Sequence, residues 1–452
     1  MLSTVGAAFP GPDFDRPDRW FDDHVYHHHA DLTTELQQLK SDHPHYMDLT
    51  SIGTSVEGRE LWTVRITDPS VPAEGKVRIY IDGEHHGNEY LGGELCILLL
   101  RHLLEDQGDP LVQQVLREAI VWVTPMLNPD GNARDRRSNA NGVDLNRNYP
   151  FKFTPGGSHG DAPASEPEVA ANVAFMESVD LDLYITMHTG IVRLIHPWGW
   201  TYDPAPDRSM FENLSGISEA HGIQYGQASH VLYIVEGSSK DFAYGALGVP
   251  GYTYEVDDEQ TRQISVREDI ASRLSDELAL LMDFIIATPL MGADLEEQGM
   301  VYEQVGSGVD VTVDLHNAGL SAANNTTVTV EAWRGHQLVT VAQTVVDIPA
   351  GNATLATVHV ELDEGTYTLR TIVEYPKRLQ ENSTTERMVV GNAETSVHSS
   401  ILSGTGGLGI GLLLLIVAAG VAFLYWAYRK GLWRPGMVVG RLMSRLRPTT
   451  ES

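Results

Sequence analysis

The sequence predicts an α/β domain with a mixed central sheet flanked by helices, then a β-sandwich and one C-terminal transmembrane helix. Three observations carry this. Up to about Thr288, apolar runs of strand length alternate with segments of helical period, the order expected of a sheet covered by helices. Residues 301–392 are instead rich in Val and Thr, with turn residues roughly every eight to twelve positions and almost no helical period. Residues 406–427 then hold no charge, which is length enough to span a bilayer, and Tyr425, Trp426 and Tyr428 sit at one edge.

The expected division is an extension over 1–23, the α/β domain over 24–288, the sandwich over 289–395, a linker over 396–405, the spanning helix over 406–428 and a tail over 429–452. Arg429, Lys430, Arg434, Arg441, Arg445 and Arg447 follow the apolar stretch. The positive-inside rule therefore puts the C-terminus in the cytoplasm and both folded domains outside the cell membrane. Formal net charge is −30; the last 25 residues contribute +5, leaving −35 on residues 1–427. A surface of that sign excludes nucleic acid as a partner, since phosphate needs the opposite charge. It is also a device of salt-adapted proteins. The single cysteine, Cys96, lies in the apolar run Leu95-Cys96-Ile97-Leu98, so it reads as a core residue and no intrachain disulfide can form.

Taken in order, Asp31 is placed to cap a helix over 32–39, which ends before Pro44. Strand patterns follow at 47–52 and 61–66, separated by a loop with Gly53 and Gly58. Another covers 77–81, and an apolar-periodic helix covers 91–104. Residues 119–124 read as a strand leading into a turn at Asn128-Pro129-Asp130-Gly131. Residues 184–188 and 251–256 are two further strands.

The chemistry concentrates where the strand at 77–81 ends, in Asp82-Gly83-Glu84-His85-His86-Gly87-Asn88-Glu89. Imidazole nitrogen and carboxylate oxygen both suit Zn2+, and a catalytic zinc needs three protein ligands plus an open position for water. His86 and Glu89 are the first two candidate ligands. The third is expected at another strand end of the same sheet, where His188 stands. His85 has Asn88 rather than a carboxylate three residues on, and reads as a partly exposed neighbour. The run His24-Val25-Tyr26-His27-His28-His29 is rich in ligand types, but consecutive histidines do not converge on one point.

The order of strand, His86-Gly87-Asn88-Glu89, Asn128-Pro129-Asp130-Gly131, Gly142-Val143-Asp144-Leu145-Asn146-Arg147-Asn148 and strand-tip His188 resembles the zinc metallocarboxypeptidase family of funnelin type, over roughly residues 24–287. The resemblance implies an α/β/α carboxypeptidase fold, one Zn2+ per catalytic domain, and peptide or protein C-termini as substrate. It implies Glu255 as general base, because Gly251-Tyr252-Thr253-Tyr254-Glu255 matches the family's aromatic-rich strand; a carboxylate near the metal must take the proton of water. Asn146 and Arg147 match the pair that binds the substrate carboxylate, a task suited to bidentate arginine. Arg137 matches the regulatory branch, where that arginine polarises the carbonyl and steadies the oxyanion. Arg134 is the alternative, since another branch carries its arginine three residues earlier. Tyr233 matches a lid tyrosine on a mobile loop. Lys240, just before Asp241, matches the base of the side-chain pocket and would favour an acidic C-terminal residue by charge pairing.

In the later domain, Leu315-His316-Asn317-Ala318-Gly319, Gly365-Thr366-Tyr367-Thr368 and Tyr375-Pro376-Lys377-Arg378 are similar to bacterial cell-adhesion-related immunoglobulin-like domains, here expected as a spacer. The expected whole is a membrane-anchored metallocarboxypeptidase trimming peptides outside the cell. Two alternatives stand beside it. One is a zinc amidase or deacylase of the same fold acting on cell-wall peptides or acyl amino acids. The other is a catalytically inactive adhesion or binding protein, which would tolerate loss of a ligand or of the base; none is missing.

Overall fold

The computed structural model describes residues 26–258, 267–379 and 385–397. The N-terminal extension, the spanning helix expected at 406–428 and the basic tail lie outside these residues. Among the described residues no helix is long and apolar enough to cross a membrane.

In chain order the first domain comprises α1 (His29–Asp42), β1 (Met47–Thr54), β2 (Glu60–Ile66), β3 (Val77–Gly83), α2 (Tyr90–Glu105), α3 (Pro110–Glu118), β4 (Ala119–Thr124), α4 (Pro129–Asn132), α5 (Pro167–Ser178), β5 (Leu183–His188), β6 (Ile191–His196), α6 (Arg208–Ala220), β7 (Tyr225–Gln227), α7 (Ala228–Val231), α8 (Ser239–Leu247), β8 (Gly251–Asp257) and α9 (Arg267–Ala287). Each strand expected from the alternation forms. The first helix differs from expectation: it begins at His29, with His28 in the cap position. Asp31 lies inside the first turn, and its carboxylate accepts from the His28 N–H at 3.3 Å. An acidic side chain three residues into a helix reaches back to the cap amide, so Asp31 acts from within the helix rather than before it.

The eight strands form one mixed sheet in the order β1-β2-β4-β3-β5-β8-β6-β7. β4, β3, β5 and β8 run parallel at its centre. β1, β2 and β6 pair antiparallel at the flanks. Side chains alternate across the pleat. Ile79 and Ile81 point into a core shared with Leu95, Val112 and Leu281 of α2, α3 and α9, whereas Tyr80 points into a second core with Val169, Val173 and Phe242 of α5 and α8. The central strands are thus buried on both faces, and their carboxyl ends open together at one edge, where α/β sheets place ligands.

The second domain comprises β9 (Leu295–Val305), β10 (Gly308–Asn317), β11 (Ala323–Arg334), β12 (Gln337–Ile348), β13 (Ala353–Glu361), β14 (Gly365–Pro376) and β15 (Thr385–Val397). Its strands make two antiparallel sheets, β13-β10-β9 and β12-β11-β14-β15, closed over a core that includes Val311, Val313, Val328, Val330 and Leu369. The expected sandwich forms, with its first strand starting at Leu295 rather than near Val301. The join between domains is packed: Met291 and Leu320 belong to the core of the first domain.

Candidate active site

β3 ends at Gly83, and the chain turns before α2 begins. Gly87 is needed in this turn, because a Cβ there would lie 2.1 Å from the backbone of Gly131 and Asn132. The turn is held on α4 by Asn128, whose side chain donates to His85 O at 3.0 Å and to Arg137 O at 3.2 Å. Glu89 occupies the cap position of α2. His188 closes β5 and pairs in register with Glu255 on the adjacent strand β8. Three neighbouring parallel strands therefore deliver His86, Glu89, His188 and Glu255 to one place.

There the Nδ1 atoms of His86 and His188 lie 3.1 Å apart. Glu89 reaches His86 Nδ1 with one oxygen at 2.7 Å and His188 Nδ1 with the other at 2.8 Å. All three residues are buried. Donors around a tetrahedral zinc, at about 2.0–2.1 Å each, stand about 3.3 Å from one another, so the triad fits that ion with little adjustment. The other ring nitrogen of His86 meets Asp144 Oδ1 at 3.0 Å. A carboxylate on that nitrogen keeps its proton there and aims the Nδ1 lone pair at the metal position. Among the described residues this is the one group of three metal-ligating side chains so disposed. The histidines at 27–29 diverge, as expected: His27 pairs with Glu94 at 3.0 Å, His28 meets Asn132 and His29 meets Glu60 O.

Electrostatics follow from burial and neighbours. Burial pushes Glu89 up, but His86 and His188 outweigh it and hold the carboxyl well below its usual range. Burial likewise opposes a charged His86, yet Glu89 and Asp144 prevail and raise it to about 9. Glu255 runs the other way. Burial first, then the charge of Glu89, raise it to about 8, against the pull of His86, Arg137 and Arg147. Its Oε2 is buried and has no hydrogen-bond partner among the described residues. A cation bound at the triad would lower Glu255 and leave a carboxylate with a spare lone pair, equipped to take a proton.

A cavity of about 180 Å3 opens over this cluster. Its wall includes Arg137, Asn146, Arg147, Tyr233 and Lys240 together with His86, Glu89, His188 and Glu255, so the candidate residues come together, the alternative Arg134 excepted. Arg137 donates to Asp144 Oδ2 at 2.9 Å and to Glu89 Oε1 at 3.3 Å. Arg134, the alternative, is turned away and pairs with Glu57. Asn146 lies 3.2 Å from His188 Nε2. Arg147 donates to the Tyr233 hydroxyl at 3.1 Å. The loop bearing Tyr233 approaches because Gly237, at φ 64°, lets it press on Arg147; a Cβ there would stand 2.3 Å from Arg147 O. Lys240 is buried at the cavity, but its charge is already matched: Nζ donates to Asp241 Oδ1 at 2.9 Å and to Ser238 Oγ at 3.3 Å.

Two residues were not assigned their roles from sequence. His85 is fully buried, not partly exposed: it contacts Tyr149 OH at 2.7 Å and Thr186 Oγ1 at 3.0 Å, behind the ligand cluster. The neighbouring strand β5 and the 145–149 segment cover it, which local sequence does not report. Asp144 supports His86, and its signal was present as an acidic residue two positions before Asn146.

The sequence profile of the zinc carboxypeptidase family matches residues 32–277, more than half of the chain. Carboxypeptidase D of Mus musculus is 30% identical over 250 residues, covering 51% of this chain and 18% of that protein. Carboxypeptidase A6 of Mus musculus is 29% identical over 268 residues, covering 52% of this chain and 60% of that protein. The chain thus spans less than two thirds of either relative. The crystal structure of carboxypeptidase A from Helicoverpa armigera superposes with a TM-score of 0.53 at 21% identity, over 58% of this chain and 73% of that one, a likeness of fold. With the profile covering the whole sheet and all three candidate ligands, the chain belongs to the zinc carboxypeptidase family.

Proposed function

We propose that this protein is a metallocarboxypeptidase that removes the C-terminal residue from peptides. The observation that carries the reading is the shared cavity: a base beside a three-ligand metal position, and an arginine bonded to a tyrosine across the same space. Zinc, when bound, supplies a Lewis acid that polarises the scissile carbonyl and makes water nucleophilic near neutral pH. Glu255 takes the proton from water and returns it to the departing amine. Arg137 donates to the carbonyl oxygen as charge develops there. Asn146 and Arg147 hold the terminal carboxylate, and Tyr233 closes over it.

Lys240 favours an acidic C-terminal side chain. Asp241 already balances the charge of Lys240, so the preference rests on hydrogen bonding: among the described residues Asp241 and Ser238 engage two of its three N–H groups, and the third is available to a substrate carboxylate. The chain acts at the outer face of a membrane, tethered through residues 406–428, with the immunoglobulin-like domain between the tether and the catalytic domain. The uncharged apolar stretch and the basic residues after it support this placement. Release of C-terminal Glu, Leu and Lys from otherwise identical peptides tests the specificity. Faster release of Glu is expected; equal rates for Glu and Leu would remove the role given to Lys240.

A further inference from the structure

Residues 377–379, which follow β14, pack on the first domain at the edge of the sheet opposite the cavity, where Asp182 precedes β5 and Gly248 precedes β8. Arg378 is only 4% exposed. Its Nη1 donates to Gly248 O at 3.2 Å and its Nη2 to Asp182 O at 3.1 Å. Lys377 pairs with the Asp182 carboxylate at 2.9 Å. The Leu379 N–H donates to Asp207 Oδ1 at 2.7 Å. Each contacted residue sits at the far end of something that reaches the cavity. Asp182 precedes β5, which ends in His188. Gly248 caps α8, which begins beside Lys240, and the chain then enters β8, which carries Glu255.

Asp207 extends the link. Its second oxygen accepts from Tyr244 OH at 2.8 Å, and its N–H donates back to that hydroxyl at 3.1 Å. Tyr244 lies in α8 and packs on Trp198 with ring centroids 4.8 Å apart. The next residue, Gly199, donates to Asp241 Oδ2 at 2.8 Å, and Asp241 is the partner of Lys240. A continuous path of buried polar and aromatic contacts runs from the sandwich to the floor of the cavity.

We propose that Arg378 is a positioning residue for the substrate pocket, and that the sandwich domain, through residues 377–379, holds α8 and its Lys240–Asp241 pair in place. The buried guanidinium donates to two backbone carbonyls at the domain seam, one at the C-terminal cap of α8 and one just before β5, so it fixes the end of α8 against β5. The sandwich is then part of the specificity apparatus rather than a spacer. The role of the pocket rests on the carboxypeptidase reading; the mechanical claim does not.

The test uses the full chain with Arg378→Met and Tyr244→Phe, the second cutting the same path within the first domain. Amide hydrogen exchange is followed over 239–247 and over the ligand turn at 84–90, with zinc content and the ratio of C-terminal Glu to Leu release measured alongside. Both variants are expected to keep zinc and to raise exchange in 239–247 by about tenfold, with 84–90 unchanged. The Glu-to-Leu ratio is expected to fall by about threefold or more, and Arg378→Lys to recover part of it. Unchanged exchange in 239–247, or equal loosening of both segments, overturns the proposal. Should Arg378→Met not fold, Tyr244→Phe decides by the same criteria. A parent protein that releases no C-terminal residue overturns the carboxypeptidase reading, while the exchange data still decide the tether.

Discussion

Arg147 and Tyr233 are 86 positions apart in the chain, yet the guanidinium donates to the phenolic oxygen at 3.1 Å across the cavity mouth. Tyr233 is 57% exposed, so the contact is made by a side chain otherwise free to move. In the proposed function, a substrate carboxylate bound by Arg147 would meet the tyrosine in the same step. Arg147→Ala is expected to lower kcat/KM on free-acid peptides by about 100-fold, close to 3 kcal/mol. Peptides with an amidated C-terminus should be poor substrates for both proteins and show little difference. Arg147→Lys should recover little, since an ammonium does not reproduce the planar fork.

Asp144 contacts His86 and Arg137 together, and its loss should weaken the metal more than the fold. Asp144→Ala is expected to reduce zinc affinity by about 10–100-fold in competition with a chelator. Affinity equal to that of the parent would mean that Asp144 does not orient His86.

The metal-free triad holds a proton that zinc must displace. His86 stands at about 9, so it is charged at pH 7.5 in the absence of metal. Zinc uptake at that pH is expected to release at least one proton, from His86, with Glu255 adding to it as the cation lowers its value. Titration calorimetry in two buffers of different protonation enthalpy measures this directly. Heats independent of the buffer would contradict it.

Glu255 makes a prediction about stability as well as turnover. Its folded value of about 8 lies above the usual 4.5. Between those values the folded metal-free chain keeps a proton that the unfolded chain has lost, so stability falls as pH rises through that window. Glu255→Gln removes this titration. The melting temperature of the metal-free variant should exceed that of the metal-free parent by more at pH 8.5 than at pH 5.5. A gap that is constant or narrows would contradict the assignment.

Much of this was legible in the chain. Ile79, Tyr80 and Ile81 read as one strand, and their alternation sends them into two different cores. His86, Glu89 and His188 were readable because metal chemistry restricts residue type and strand ends restrict place. Other features depended on contacts with no local trace. The register that sets Glu255 beside His188 is a property of two strands far apart in sequence. Lys240 and Asp241 are adjacent, and on a helix such neighbours point about 100° apart, so their pairing has no local trace in the sequence. Arg378 resembles any polar residue that follows a strand, and only the approach of two domains buries it.

One zinc held by His86, Glu89 and His188 beside Glu255 is proposed to hydrolyse C-terminal peptide bonds. The most direct measurement compares the purified full chain with Glu255→Gln for zinc content and for release of the C-terminal residue from a peptide mixture. One zinc per chain is expected in both proteins, with release by the parent that a chelator stops and zinc restores, and a loss of about 100-fold or more in the variant. Peptide release that continues unchanged in Glu255→Gln, or a parent that binds no zinc, would contradict it.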